Sequence, residues 1–478
     1  MRKYLIYAAL LLIISNASAQ KIVQQKIVIK PRNIVLIIAD DVGAEQVKPY
    51  ANTLQYSSDI DPTELPTVRM LRNAGIRFTQ AWSNPYCSPT RAGIYTGQYS
   101  CTHGIYSPIQ ESSTEQLEAH PLHNIYTPLP LKMPCNYRKG LFGKWHLGYD
   151  VKLPLENGWD HYAGSLGGEL PSYFHWTKTE NGEQQVPCST HATIDLTTDA
   201  RKWIHARCVK GDPFLAVLAF NAPHGTGTTS TEWLQGDLSP ICVSTTLALL
   251  PQRQIYLKQL ECLDHSVGNL IAYMKANFPY ELDNTIFIFI GDNGTPDAVS
   301  ELVDKHILDA KHFKGSLYQG GIHVPFIIAD GHWLSGVNIS VQPNKYFTRI
   351  NSPGSDCDAL VHTRDIYATI LDLTGVANPE SGTKSYSLVK FMTNPKATGE
   401  TYLFTENEEG QYAIRTSKYK LIRYDKRRSG TEYEFYDISN NKWDENPIAN
   451  PLTNPLLGPL VKLYYQQMKN KLQTLICQ

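Results

Sequence analysis

Asn33–Ala39 (NIVLIIA) is apolar on both faces and rich in β-branched residues, with two aspartates directly after it. A short, unalternating run of this kind predicts a strand buried on both sides of a mostly parallel sheet. The same texture recurs at Phe214–Phe220 (FLAVLAF), Thr285–Ile290 (TIFIFI) and His323–Ala329 (HVPFIIA). Between these runs the period changes. Ile255, Leu260, Leu263, Val267, Leu270, Ile271 and Met274 follow helical spacing and predict a helix over Ile255–Met274. Thr198–Val209 and His362–Leu373 repeat that spacing more weakly. Strands alternating with helices predict an α/β sandwich around a large central sheet. Beyond about Pro395 short alternating segments take over, at Tyr412–Thr416, Lys418–Tyr424 and Tyr433–Ile438. A helical pattern from Leu457 to Leu475 follows, which together predicts a smaller antiparallel-sheet-and-helix subdomain. The expected division is residues 1–19 as an export signal, 30–395 as the main domain and 396–478 as the C-terminal subdomain.

The start of the chain stands apart from this pattern. Arg2 and Lys3 precede an apolar run from Leu5 to Ile14, and Ala17-Ser18-Ala19 ends on small residues. That order is expected of a cleavable secretory signal, and ten apolar residues fall short of the roughly 20 needed to span a bilayer. No other stretch is long and apolar enough to span, so no stable membrane insertion is expected. Over the whole chain, 44 Lys and Arg balance 45 Asp and Glu. Loss of Arg2 and Lys3 with the signal leaves 42 against 45, a net charge near −3. Such a chain lacks the basic excess of a nucleic-acid binder. Export permits disulfides, and nine cysteines (87, 101, 135, 188, 208, 242, 262, 357 and 477) leave at least one sulfur for another use.

Three predicted strands run into polar clusters: Asp40-Asp41, Asn221-Ala222-Pro223-His224 and Gly291-Asp292-Asn293-Gly294. Open α/β sheets hold ligands beyond the carboxyl ends of their strands, so these clusters are expected to converge. Asp40, Asp41, Asp292 and Asn293 offer oxygen donors only, which suits Ca²⁺ or Mg²⁺ rather than zinc. In Cys87-Ser88-Pro89-Thr90-Arg91, Ser88 is a candidate helix cap with Pro89 at the first helical position. Cys87 then lies at a helix N-terminus and Arg91 one turn on, a place to receive a tetrahedral oxyanion. A disulfide cysteine beside a cap is the plainer alternative. Basic candidates are Lys144 and His146 between glycines (GKWHLG), His224 after Pro223, and Lys314 in His312-Phe313-Lys314-Gly315. His161–Trp176, rich in aromatics and glycines, reads as a loop that either borders the pocket or merely covers the sheet.

Taken in order from Asn33 to about Asn446, these motifs resemble the type I sulfatases of the alkaline phosphatase superfamily. The centre of the resemblance is Cys87-x-Pro89-x-Arg91 followed by Thr96-Gly97, the family's signature for oxidising the cysteine to Cα-formylglycine. Gly93-Ile94-Tyr95 departs from the small and aliphatic residues more usual there. The resemblance implies an alkaline phosphatase-like α/β sandwich with a large mixed sheet. It implies Ca²⁺, with Mg²⁺ second, held by Asp40, Asp41, Asp292, Asn293 and the modified Cys87. It further implies that one hydroxyl of the hydrated formylglycine attacks sulfur, while Arg91 and Lys144 stabilise the developing charge. His224 and Lys314 would bind the sulfate and protonate the departing alcohol, and His146 would take the second hydroxyl's proton to expel sulfate.

On this reading the odd cysteine is Cys87, and the other eight are compatible with up to four disulfides. The implied partners are a sulfated carbohydrate, or less so an aryl sulfate, and a formylglycine-generating maturation enzyme. A cleavable signal would place the protein in the periplasm or outside the cell. The alternatives are a formylglycine-dependent phosphodiesterase or phosphonate monoester hydrolase, or a non-catalytic sugar-binding relative with Cys87 unconverted.

Overall fold

β1 (Asn33–Ala39) is buried along its whole length and has a parallel neighbour on each side, as its two apolar faces require. The computed structural model describes residues 31–51, 64–110, 127–183, 185–225, 252–299, 313–337, 348–426, 430–439, 445, 448, 451–454 and 456–476. The export-signal segment and His312 lie outside the described residues. After β1 the large sheet takes up β2 (Gly75–Trp82), β3 (Arg138–Gly143), β4 (His161–Gly164), β5 (Trp176–Glu180), β6 (Val186–Cys188), β7 (Phe214–Ala219), β8 (Thr285–Gly291), β9 (Phe326–Asp330) and β10 (Ser355–His362). Across the sheet the order is β10-β2-β9-β8-β1-β7-β3-β4-β5-β6. The sheet is mixed. β9, expected among the parallel strands, runs antiparallel to both β2 and β8. An unbroken apolar run reports burial on both faces and carries no information about direction.

Alternation along β1 divides the interior in two. Val35, Ile37 and Ala39 join a core with α1 (Pro66–Asn73), α3 (Ala192–Lys210) and α4 (Gln252–Asn277). Ile34, Leu36 and Ile38 face α2 (Cys87–Thr96) and α5 (Ile366–Leu373) on the other side. Each of these isoleucines and leucines contributes roughly 1.5–3 kcal/mol by leaving water. α4 extends the predicted Ile255–Met274 helix at both ends, and Gly211 in the left-handed region (φ 70°) terminates α3. α5 starts later than the spacing implied, because His362 closes β10 and forms a capping box with Asp365.

The second sheet is antiparallel, with β11 (Leu403–Glu406), β12 (Gln411–Arg415), β13 (Tyr419–Lys426) and β14 (Gly430–Asp437) in that order. α6 (Pro459–Leu475) covers one face through Tyr465, Met468 and Leu472. Its other face packs on Trp82, Leu317 and Ile322 of the large-sheet layer. No helix among the described residues is long and apolar enough to cross a membrane.

Cys101 and Cys262 each belong to a disulfide. Cys87, Cys135, Cys188, Cys208 and Cys357 are not in disulfides. Four disulfides from the other eight cysteines are therefore excluded. An even count satisfies arithmetic, whereas a bridge needs Cα atoms within about 7 Å of each other.

Candidate active site

Because β7, β1 and β8 are parallel neighbours, their carboxyl ends lie side by side. Ala39 is in register with Gly291, and Ile38 with Ala219. The clusters beginning at Asp40, Asn221 and Asp292 therefore leave the sheet at one edge. Asp41 takes up a left-handed backbone (φ 67°), uncommon for a residue with a Cβ. Its N–H donates to Asp292 Oδ1 (3.1 Å), and Tyr256 holds its carbonyl (2.8 Å). Asn293 Nδ2 donates to Asp41 Oδ1 at 2.7 Å. Asp40, Asp292 and Asn293 are fully buried. Asp40 Oδ1 and Asn293 Oδ1 have no hydrogen-bond partner among the described residues.

α2 brings the fourth strand-end neighbour. It begins at Cys87 itself, with Tyr86 at the N-cap position and no side-chain cap. Ser88, expected to cap, instead donates to the His146 carbonyl (2.9 Å) and accepts from Ile109 N–H (3.1 Å). A hydroxyl drawn into tertiary bonds is no longer available to the helix end. Since Cys87 is helical, Arg91 lies one turn on, along the same face. Its Nη2 and Nε reach Asp292 Oδ2 at 2.8 and 3.2 Å, and Nη1 donates to the Lys144 carbonyl at 3.0 Å. Tyr95, part of the unusual triplet, stacks on Trp145 (5.9 Å between centroids) and meets Trp159 edge-on. The larger ring thus packs the stretch between Lys144 and His146 against α2.

The glycines around Lys144 are close-approach positions. A Cβ on Gly143 would stand 2.1 Å from the Ala219 carbonyl oxygen, and its φ is 96°. β3 can therefore run close beside β7 to its end, where Lys144 N–H donates to Ala219 O (2.7 Å) and Lys144 Nζ pairs with Asp40 Oδ2. His146, also left-handed (φ 55°), aims Nδ1 at Cys87 Sγ, 3.1 Å away, and Nε2 at the Ile109 carbonyl, 3.0 Å away. A carbonyl only accepts, so Nε2 carries the proton and the neutral ring presents an Nδ1 lone pair to position 87.

His224 and Lys314 complete the group from the more open side, at 12% and 17% side-chain exposure, whereas Arg91 and Lys144 are fully enclosed. Lys314 Nζ lies 2.5 Å from Asp41 Oδ1, and His224 Nε2 3.6 Å from Asp41 Oδ2. Asp40, Asp41 and His224 could hold a metal ion between them. All the candidates named from the sequence thus meet in one place.

Charge is unevenly distributed. Burial pushes the Cys87 thiol up, opposed by Lys144 and Lys314. Burial, then Lys144 and Arg91, holds His146 well below its ordinary range. Burial and then Asp40 raise Asp292. Burial alone would raise Asp41 too, yet Lys314 and His224 outweigh it and hold that carboxyl low.

The His161–Trp176 stretch opens as β4 and then borders the site. A Cβ on Gly168 would stand 2.4 Å from the His146 ring, and Tyr173 donates to the His224 carbonyl at 2.9 Å. The Ile109 carbonyl that orients His146 was invisible in the sequence, since a main-chain acceptor has no residue-type signature.

A family model described as Sulfatase matches residues 32–376, and one described as N-sulphoglucosamine sulphohydrolase, C-terminal, matches 344–476. An uncharacterized sulfatase of Schizosaccharomyces pombe is 24% identical, covering 88% of this chain and 90% of that protein. An arylsulfatase of Klebsiella aerogenes is also 24% identical, over 67% of this chain and 78% of its own. Among solved structures, Ps i-CgsB in complex with k-i-k-neocarrahexaose has a TM-score of 0.67 at 21% identity, covering 93% of this chain and 92% of that one. BT4656 in complex with its substrate D-glucosamine-2-N,6-O-disulfate has a TM-score of 0.63 at 19% identity, covering 93% and 97%. The structural likeness bears on the fold, while the family model spans most of the sequence: the chain belongs to the sulfatase family of sulfuric ester hydrolases, within the alkaline phosphatase superfamily.

Proposed function

We propose that the protein removes sulfate from a sulfated carbohydrate, using formylglycine made from Cys87 and a bound Ca²⁺. The observation that carries this reading is the placement of an unbridged, buried Cys87 between His146 Nδ1 and an oxygen-lined cluster, two of whose oxygens have no hydrogen-bond partner among the described residues. Asp40, Asp41, Asp292 and Asn293 fit a hard cation, because buried carboxylate and amide oxygens without partners are costly unless something positive meets them. Bound there, Ca²⁺ would supply positive charge facing the sulfate oxygens. Formylglycine at position 87 would supply a hydrated aldehyde, one hydroxyl to attack sulfur and a second to release it without external water.

The side chains divide the remaining work. Arg91 and Lys144, enclosed and hydrogen-bonded, hold fixed positive charge beside position 87 where negative charge grows. His146 Nδ1 accepts a proton at that position, and its depressed pKa keeps the ring neutral for the task. Lys314 and His224 line the open side, where they bind sulfate oxygens and protonate the leaving alcohol. A carbohydrate substrate is supported by the sugars bound to Ps i-CgsB and BT4656. Export to the periplasm or beyond is inferred from the Met1–Ala19 pattern.

Two measurements test the reading. Peptide mass spectrometry of the native-host protein should find residue 87 as the aldehyde or its hydrate, and an intact thiol would defeat the mechanism. The converted enzyme should release sulfate from at least one member of a panel of sulfated mono- and disaccharides. Faster turnover of nitrophenyl phosphate diesters or phosphonates than of any sulfate ester would assign the protein to phosphoester chemistry instead.

A further inference from the structure

Lys314 stands on an irregular turn, residues 313–318, whose two halves are held by different parts of the molecule. The first half is tied to the large-sheet layer: Lys314 N–H donates to Thr295 O at 3.0 Å and Gly315 N–H to Pro85 O at 2.9 Å. The second half is tied to the small sheet. Lys420 of β13 donates from Nζ to the Leu317 carbonyl at 2.6 Å. The same ammonium pairs with Glu445 Oε1, whose other oxygen accepts from Gln319 N–H at 2.8 Å. Tyr318 OH donates to Glu434 of β14 at 2.7 Å.

Lys420 also bears on the segment leading to Cys87. Trp82, the last residue of β2, has its ring centroid 5.1 Å from Lys420 Nζ and 5.6 Å from the Arg415 guanidinium. Its indole N–H donates to Gln319 Oε1 at 2.8 Å. The ammonium therefore sits where two chain segments meet, one running from Trp82 to Cys87 and the other from Gln319 back to Lys314. It is an expensive choice for a purely structural contact. The Lys420 and Glu445 side chains are 0% and 1% exposed, and such a buried pair can often be replaced by apolar residues without loss of stability. What an apolar residue could not do is hold the Leu317 carbonyl, three residues from the Lys314 Cα, at a fixed point.

We propose that Lys420 is a positioning residue for Lys314: by anchoring the Leu317 carbonyl it sets where the Lys314 ammonium stands, so the small sheet forms part of the sulfate-binding site. The proposal rests on the reading of Lys314 as a sulfate-binding group. It makes the C-terminal sheet and the catalytic layer one functional piece.

The test uses the full-length enzyme with conversion of Cys87 verified, following nitrophenyl sulfate hydrolysis and competitive inhibition by inorganic sulfate. Lys420→Met should raise the inhibition constant for sulfate about tenfold and lower kcat/KM by a similar factor. Lys420→Arg, which can still donate to Leu317, should recover most of both. Lys314→Ala should weaken sulfate binding at least as much, and Lys314→Ala with Lys420→Met should be no worse than Lys314→Ala alone. Met468→Ala, which loosens the opposite face of the small sheet, should lower Tm while leaving the sulfate constant within twofold. If Lys420→Met fails to fold, Lys420→Gln, too short to reach Leu317, takes its place with the same expectation. A sulfate constant within twofold of wild type for these Lys420 variants, alongside a weakened Lys314→Ala, would overturn the positioning role alone. An unaffected Lys314→Ala would instead remove the sulfate-binding reading on which it stands.

Discussion

The ring of His146 is fixed at both nitrogens, by Ile109 O on one side and the atom at position 87 on the other. In the proposed role of base, a ring so placed would be worth about 10²–10⁴ in rate. His146→Ala in converted enzyme should accordingly lower kcat for nitrophenyl sulfate about a hundredfold or more, and a drop of less than threefold would mean another group takes the proton. Glu406, at the end of β11, makes a different residue-scale prediction. It accepts from Cys101 N–H at 2.7 Å, while its second oxygen has no partner among the described residues. Burial pushes its carboxyl up to about 7 from an ordinary value of 4.5, with Cys101 N–H and Arg364 pulling the other way. The folded state therefore holds a proton that the unfolded chain gives up. That contribution to stability is complete below about pH 4.5 and is lost as pH rises through 7. Glu406→Gln should raise Tm at pH 8, by the equivalent of roughly 2 kcal/mol, and leave it little changed at pH 4.5. An unchanged Tm at pH 8 would refute the shift.

At the scale of elements, close approach of strands is what aims Lys144 and His146. A Cβ on Gly164 in β4 would stand 1.9 Å from the Gly143 carbonyl oxygen. Gly164→Ala must push β4 away from the end of β3, and is expected to lower both Tm and kcat through the displaced Lys144–His146 turn. Wild-type kcat in that variant would show that the turn adjusts independently of β4. Elements also mark the limit of sequence reading. β1, β7 and β8 were legible because strands buried on both faces leave unbroken apolar runs. β2 (GIRFTQAW), β3 (RKGLFG) and β10 (SDCDALVH) were not, since each mixes charged or polar residues into its run. Arg77 of β2 and Asp356 of β10 satisfy one another across the sheet, a compensation no single segment can reveal.

For the whole molecule, cation binding and stability are linked. If the buried cluster of Asp40, Asp41, Asp292 and Asn293 takes up Ca²⁺ only when folded, Ca²⁺ at a hundred times its dissociation constant adds about 2.7 kcal/mol. Metal-stripped enzyme should therefore melt at a lower temperature, recover on adding Ca²⁺, and lose most of that response in Asp292→Asn. A Tm indifferent to chelator and to Ca²⁺ would count against the cluster as a cation site.

The residue types of the candidate site were set by the sequence alone, because Cys87-x-Pro89-x-Arg91 and the aspartates after apolar strands are local patterns. The central strands were legible on the same ground, since burial on both faces dictates local composition. Tertiary structure decided everything that depends on pairing between distant segments: the antiparallel run of β9, the free state of Cys87, the tautomer of His146, and the hold of Lys420 on the turn bearing Lys314. Direction, bridging, protonation and reach depend on where another part of the chain comes to rest, and that information exists only once the chain has folded.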